Sequence, residues 1–192
     1  MSNPAPTAPN RKLVPMLALD DFEHAARRVL PRPVLAYIAG GAEQNLALDD
    51  NLQAFRELAL VPQVLRNVSQ RNQRVSLLGH EYAAPFGVAP MGMLALTAYR
   101  ADIALARAAH AANIPTVISG ASLARLEEIV EAAPSSWFQA YLPGEPQRIN
   151  ALLERVAAAG IKTLMLTVDC PVGGNRENNV RAGFSTPLKP SL

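Results

Sequence analysis

The sequence predicts an α/β fold built on a parallel sheet, and three observations carry that prediction. Four short apolar runs occur at Phe86–Pro90, Thr116–Ser119, Trp137–Leu142 and Ile161–Val168. Helical stretches separate them, from about Tyr99 to Ala112, Leu123 to Ala132 and Pro146 to Ala159. The composition is 49% hydrophobic but only 5% aromatic, with Ala and Leu dominant, which suits helices packed on a buried sheet rather than a β-sandwich. Continuous apolar strands alternating with helices indicate βα units joined in parallel.

The elements before the first run are of a different kind. Asp20 followed by Glu23 resembles a capping box, and Phe22, Ala25, Ala26 and Val29 then follow helical spacing. Pro31 and Pro33 break that helix and start another through Val34, Leu35 and Ile38, which Gly40-Gly41 ends. A third helix is expected from about Glu43 to Leu58, with Leu46, Leu52 and Phe55 facing inward and Pro62 closing it. Val75, Leu77 and Leu78 lead into Gly79-His80 and Tyr82, the pattern of a short hairpin ending near Pro85. Gly160 stands where the cap of the last long helix belongs. The expected organisation is therefore a disordered lead over 1–18, a helical segment with hairpin over 19–85, and βα units over 86–192.

Composition excludes several function classes. The formal net charge of +2 is scattered, with no Lys/Arg run to mark a nucleic-acid surface. The single cysteine, Cys170, permits neither an internal disulfide nor a multi-cysteine metal site, so no metal is expected. It fits a reducing compartment. Met1–Pro15 has no apolar core of a signal peptide, and no long apolar stretch reads as a membrane span.

Four strands with three helices between them fit two architectures: an open doubly wound sheet, or the first half of a (β/α)8 TIM barrel. Periodicity does not separate them. In both, function gathers at the carboxyl ends of the strands. There the chain places Ala89-Pro90-Met91-Gly92, Ser119-Gly120-Ala121-Ser122, Gln139-Ala140-Tyr141 and Thr167-Val168-Asp169-Cys170-Pro171. Polar groups at three of the four ends make a ligand site there the leading expectation.

Phosphate-binding motifs are weak. No GxGxxG follows the first run, and no GxxxxGK[ST] occurs anywhere. His24, His80 and His110 fall in a helix, a turn and a surface helix, away from the strand ends, and read as solvated or capping residues. On sequence grounds Tyr37 reads as a half-buried core tyrosine, and Arg176, in a polar Gly-rich loop, as a surface arginine. Tyr141 is the better ligand candidate because it closes a strand.

An ordered set of motifs nevertheless resembles one family. Tyr37-Ile-Ala-Gly-Gly-Ala42, then Asn51 and Ala54-Phe55, resemble the opening of the FMN-dependent 2-hydroxy-acid dehydrogenases and oxidases, which include glycolate oxidase, flavocytochrome b2 and mandelate dehydrogenase. The match continues through Leu78-Gly79, Pro85, Ala89-Pro90, Ala106-Arg107-Ala108-Ala109, Ser119 and Glu127-Glu128. It extends to Phe138-Gln139-Ala140-Tyr141, Leu166-Thr167-Val168-Asp169 and Arg176-Glu177. Order and spacing hold over roughly residues 20 to 187.

That resemblance implies the barrel, with a helical segment and hairpin before its first strand. It implies FMN as cofactor and oxidation of a small (S)-2-hydroxy acid to the 2-oxo acid, with electrons passed to a quinone, a cytochrome or oxygen. By resemblance, Ala89, Pro90, Met91 and Gly92 lie against the flavin, and Ser119, Gln139 and Thr167 hydrogen-bond its polar edge. Tyr37, Tyr141 and Arg176 face the substrate. Arginine can grip a carboxylate with two parallel N–H bonds, and tyrosine hydroxyls can orient a 2-hydroxyl. Tyr141 and Asp169 are the catalytic candidates. The family's aspartate at this place pairs with a histidine that serves as general base. That histidine, a lysine at the flavin, a second arginine and the Gly-rich phosphate site fall outside this chain. The expectation is a fragment, inactive alone, completed by a second chain or clipped from a longer parent. The family also implies a homo-oligomer, often a tetramer. Location is expected to be cytoplasmic, with peripheral attachment at the inner membrane as an alternative.

Departures from the family pattern bear on substrate. Ala121 stands where glycolate oxidase-like members carry tryptophan, and Gly92 replaces an alanine common in oxidases. Val172-Gly-Gly-Asn-Arg-Glu177 resembles the mandelate type. These favour a bulkier, aromatic hydroxy acid. Met91 replaces a frequent threonine, which removes a polar side chain from the flavin side. The competing reading is a non-catalytic binding domain, a complete open α/β sheet.

Overall fold

The computed structural model describes residues 16–142, 144–169 and 172–187. Most of the expected lead, and the last residues Leu188–Leu192, lie outside the described residues. The chain divides into two compact units, one of Met1–Ala59 with Gly174–Leu192, the other of Leu60–Gly173.

The first unit is helical. Helix α1 spans Leu19–Val29, α2 Arg32–Ala39 and α3 Leu46–Ala54, continued by a 3-10 turn at Phe55–Glu57. The start of α1 differs from expectation. Asp21, not Glu23, reaches back to the backbone N–H groups of Leu17 (2.7 Å) and Ala18 (2.8 Å), and these bonds hold its carboxyl below the ordinary value. Glu23 instead pairs with Arg27 one turn on. Pro33 sits in the first turn of α2, where its missing N–H costs nothing. The third helix is shorter than expected, and its apolar residues are not inward. Leu46, Leu52 and Phe55 are 69%, 64% and 80% exposed. Helical spacing groups apolar residues on one face, but does not supply the surface that covers it. A further helix, α7 at Glu177–Ala182, packs against α2.

The second unit holds the sheet. Strands β1 (Val75–Leu77) and β2 (His80–Tyr82) form the expected hairpin, paired Val75 to Tyr82. Its two turn residues, Leu78 and Gly79, both have positive φ (51° and 77°), as a two-residue turn between twisted strands requires. The βα units follow as α4 (Ala101–Ala111), β3 (Val117–Ser119), α5 (Leu126–Ala132), β4 (Trp137–Ala140), α6 (Pro146–Ala158) and β5 (Leu164–Leu166). The strands are shorter than their apolar runs. The run Phe86–Pro90 narrows to one parallel bridge, Val88 to Thr116, secured by Val88 N–H on Pro115 O (2.8 Å) and Val117 N–H on Val88 O (3.0 Å).

Strand order separates the two architectures. The first run pairs with β3, β3 with β4 and β4 with β5, all parallel and in chain order. A doubly wound sheet reverses its order and carries helices on both faces. Here α4, α5 and α6 cover one face. Ile103 and Ala106 of α4, Leu126 and Ile129 of α5 and Val156 of α6 share one core with Ile118, Phe138 and Ala140 of the strands. Side chains alternate along a strand, so Val117, Trp137 and Met165 face the other way. With hairpin residues Val75, Leu77 and Tyr82 they line an open apolar trough of about 540 Å³. Buried Tyr82 accepts a hydrogen bond from Trp137 Nε1 at 3.0 Å, tying the hairpin to the bottom of the sheet. Successive parallel strands with helices outside and the amino-terminal end plugged are the first part of a (β/α)8 barrel. Strand β5 has no partner on its far side among the described residues. Leu164, Met165 and Leu166 are 42%, 36% and 49% exposed.

No described helix is long and apolar enough to cross a membrane. Among the described residues no His, Cys, Asp and Glu cluster could hold a metal.

Candidate active site at the carboxyl ends of the strands

Three consecutive strands deliver one polar row. Ser119 ends β3, Gln139 lies in β4 opposite it, and Thr167 follows β5. Gln139 is only 1% exposed, and both ends of its amide are hydrogen-bonded. Its Oε1 accepts the Gly120 N–H at 3.2 Å and the Ser119 hydroxyl at 3.4 Å, while Nε2 donates to Thr167 Oγ1 at 2.8 Å. The backbone N–H of Gly120 can only donate, which fixes which end of the amide is oxygen. One Nε2 hydrogen and the Thr167 hydroxyl hydrogen are left for a further acceptor.

The neighbouring loops are tied to this row. Ser119 Oγ accepts the Ala121 N–H at 3.1 Å. Met93, left-handed at φ 54°, donates its N–H to Ala121 O at 3.0 Å. Gly92 lies directly against Ala121, where an added Cβ would sit 3.1 Å from the Ala121 methyl. A Cβ on Gly120 would come within 2.9 Å of Gln139 O. Gly120 is therefore required by close approach to backbone, and Gly92 is favoured because any side chain there would press on Ala121. Pro90 and Gly92 are half-buried, whereas Ala89 and Met91 are exposed. The donor set and the small residues beside it suit a flat heterocycle with a polar edge, which is the chemistry of a flavin.

Tyr141 and Asp169 also stand at strand ends, beyond β4 and β5. Tyr141 is 55% exposed. The Asp169 carboxylate is exposed and forms no hydrogen bond or ion pair among the described residues. Its neighbours Cys170 and Pro171 lie outside the described residues.

The first unit brings together Tyr37 and Arg176. Arg176 precedes α7, its guanidinium carbon lies 5.3 Å from the centre of the Tyr37 ring, and Nη1 donates to Tyr37 O at 3.3 Å. Phe184 stacks on the same ring, with centroids 4.5 Å apart and planes 12° from parallel. The sequence reading missed both Phe184 and α7. The signals for the helix were Glu177 in its first turn, Arg181 in its last and Gly183 as a left-handed cap.

The comparisons with known proteins agree with this fold. A putative L-lactate dehydrogenase of Mycobacterium tuberculosis is 40% identical over 179 residues, covering 92% of this chain and 43% of that protein. Human 2-hydroxyacid oxidase 2 is 38% identical over 168 residues, covering 86% of this chain and 48% of that protein. A solved structure of mandelate oxidase with benzoyl-formic acid superposes with a TM-score of 0.84 at 33% identity, covering 89% of this chain and 51% of that one. The chain thus spans about half the length of the curated relatives it matches. The family described as FMN-dependent dehydrogenase matches residues 26–192, so by sequence and by fold this chain belongs to that family.

Proposed function

We propose that this chain contributes the amino-terminal half-barrel of an enzyme that oxidises an (S)-2-hydroxy acid to the 2-oxo acid with FMN. The observation that carries the reading is the Ser119–Gln139–Thr167 row, built across three consecutive strands at the end of the sheet where barrel enzymes place their chemistry. When bound, FMN accepts the two electrons that leave the substrate carbon. Ser119, Gln139 and Thr167 would hold its polar edge, and the Ala89–Gly92 backbone its ring. Tyr37 and Arg176, with Tyr141, would take the substrate carboxylate and hydroxyl.

Asp169 fits a supporting role. A carboxylate beside an imidazole fixes its tautomer and stabilises its protonated form. The histidine that takes the substrate proton would come from beyond this half-barrel, as would the groups that hold the FMN phosphate. The exposed edge of β5 and the open trough suit completion by further strands, in one longer chain or as a second chain. Assembly of such barrels into a homo-oligomer, often a tetramer, and residence in the cytoplasm or at the face of the inner membrane belong to the same proposal.

Substrate class follows from Gly92 and Ala121. With a methyl at 121 in place of the tryptophan of glycolate oxidase-like members, and no side chain at 92, less bulk stands beside the strand ends, which favours an aromatic 2-hydroxy acid over glycolate. Mandelate oxidase among the structural neighbours is consistent with that choice. The test is reconstitution. The chain is co-expressed with the carboxyl-terminal half of a relative carrying the family's histidine, and the complex is assayed with mandelate, lactate and glycolate. A yellow complex that turns over mandelate fastest is expected. A colourless, monomeric and cooperatively folding chain that ignores the added half would instead indicate a self-sufficient binding domain.

A further inference from the structure

Asp102 is a buried acid that the polar row does not include. It lies in the first turn of α4 and is 9% exposed. One carboxylate oxygen accepts the Ser122 hydroxyl at 2.7 Å. The other, Oδ2, has no partner and is the one such buried side-chain atom among the described residues. Asp102 borders a small cavity of about 20 Å³ between α4, the Val88 bridge segment and β3, lined also by Met91, Leu94, Thr116 and Ser119. That is room for about one water centre. Burying a carboxylate is costly unless its interactions repay it, and the positive end of α4 offsets only part of that cost.

What the acid holds is the segment between β3 and α5. The Ser122 hydroxyl donates to Asp102 and accepts the Ala124 N–H at 3.2 Å, and the Ser122 N–H reaches back to Ser119 O at 3.0 Å. Ala121, one residue earlier, meets Gly92 and accepts the Met93 N–H. Two bonds therefore clamp the first βα loop and α4 to this segment, Met93 to Ala121 and Asp102 to Ser122, and a third ties Arg100 to Glu128 of α5 at 3.0 Å. The Arg100–Glu128 pair is solvent-exposed and correspondingly weak. Met93 and Arg100 are both left-handed at non-glycine positions (φ 54° and 53°), a strain that only surrounding contacts maintain.

We propose that Asp102 is a positioning residue for the cofactor-facing wall. Its carboxylate fixes Ser122, and through it sets where Ser119, Ala121 and Gly92 stand relative to one another. The proposal rests on the flavin reading above for its purpose, but the bond network is independent of it.

The test is amide hydrogen exchange on the 192-residue chain, with FMN fluorescence quenching measured separately. Asp102→Ala and Ser122→Ala should each speed exchange at Met93 and Ala124 about tenfold or more, with the α4 interior unchanged. The double variant should add little to Ser122→Ala, which already removes the bond to Asp102. Asp102→Asn keeps an acceptor for Ser122 and should restore most of the protection. Wild-type exchange at Met93 and Ala124 in Asp102→Ala would overturn the proposal. So would failure of Asp102→Asn to rescue, or loss of protection spread through α4 and β3. Exchange decides the role of Asp102 whether or not FMN binds, and absence of quenching by the complex reconstituted with a carboxyl-terminal half would count against the flavin reading alone.

Discussion

Gln139 Nε2 donates to Thr167 Oγ1 at 2.8 Å, joining β4 to the residue after β5 by a side-chain bond at the end where the backbone ladder stops. The same amide accepts from Gly120 on the other side. One side chain thus spans three βα units, and its burial makes each of these bonds costly to lose.

Replacing Gln139 by Leu should therefore destabilise the chain by about 1–3 kcal/mol, because the buried Ser119 hydroxyl and the partly buried bonds from Gly120 N–H and to Thr167 lose their partner. Gln139→Glu keeps the acceptor but loses the donor and buries a charge, so it should also be destabilising. Urea unfolding of the two variants checks this. A midpoint unchanged from wild type in Gln139→Leu would mean that the row is not a structural unit.

Gly92 and Ala121 should behave as a pair. Gly92→Ala brings two methyl carbons to 3.1 Å, a crowding expected to cost about 1 kcal/mol. Ala121→Gly in the same chain removes the obstacle and should recover most of it. A double-mutant cycle measures the coupling, and strict additivity would show that the two positions move apart without penalty. In the reconstituted enzyme, Ala121→Trp should depress turnover of mandelate more than that of glycolate.

The Glu127–Arg155 pair gives a pH signature. Arg155 donates Nε and Nη2 to the two oxygens of Glu127 at 2.9 and 3.0 Å, linking α5 to α6. This bidentate bond, chiefly, lowers the Glu127 carboxyl from 4.5 to about 2. A carboxyl lowered on folding contributes stability that is complete above its unfolded value and disappears as pH falls through its folded value. The contribution is thus present above pH 4.5 and lost towards pH 2. Both side chains are exposed, so the effect is small and screened by salt. Arg155→Ala should flatten the acid limb of a stability–pH curve, and the difference from wild type should shrink at high salt. Equal slopes for both proteins would remove the pair from the account of acid stability.

The parts of this fold that were legible in the sequence are those that a local period encodes. Apolar runs separated by helices gave the strands and their parallel direction but not their spatial order, and parallel βα units place Ser119, Gln139 and Thr167 at one end whatever their partners. The Asp20/Glu23 capping pattern misled because Asp21 has the same reach from one position on, and the backbone entered the helix earlier. Leu46, Leu52 and Phe55 have the spacing of a buried face, but burial depends on a covering surface that no periodicity reveals. Nothing in the local pattern sets Asp102 apart from an ordinary acid at a helix start. Only the fold shows that its carboxylate turns inward to Ser122. Phe184 was illegible for a similar reason, since its contact with Tyr37 joins opposite ends of the chain.

That contact supplies the last prediction. Tyr37 is held on its face by Phe184, with the Arg176 guanidinium 5.3 Å from its ring centre. The stack is expected to contribute about 0.5–1.5 kcal/mol beyond the area it buries. Phe184→Ala should weaken the packing of α7 on α2 and increase amide exchange at Asn179 and Val180. Phe184→Tyr, which keeps the ring, should behave as wild type. Arg176→Lys loses the planar face and the directed bond to Tyr37 O, so it should loosen α7 less than Phe184→Ala does, yet impair substrate binding more in a reconstituted enzyme. If Phe184→Ala left exchange in α7 untouched, the stack would be incidental, and the position of Arg176 would have to be set by the Asn178–Asn45 bond (2.7 Å) instead.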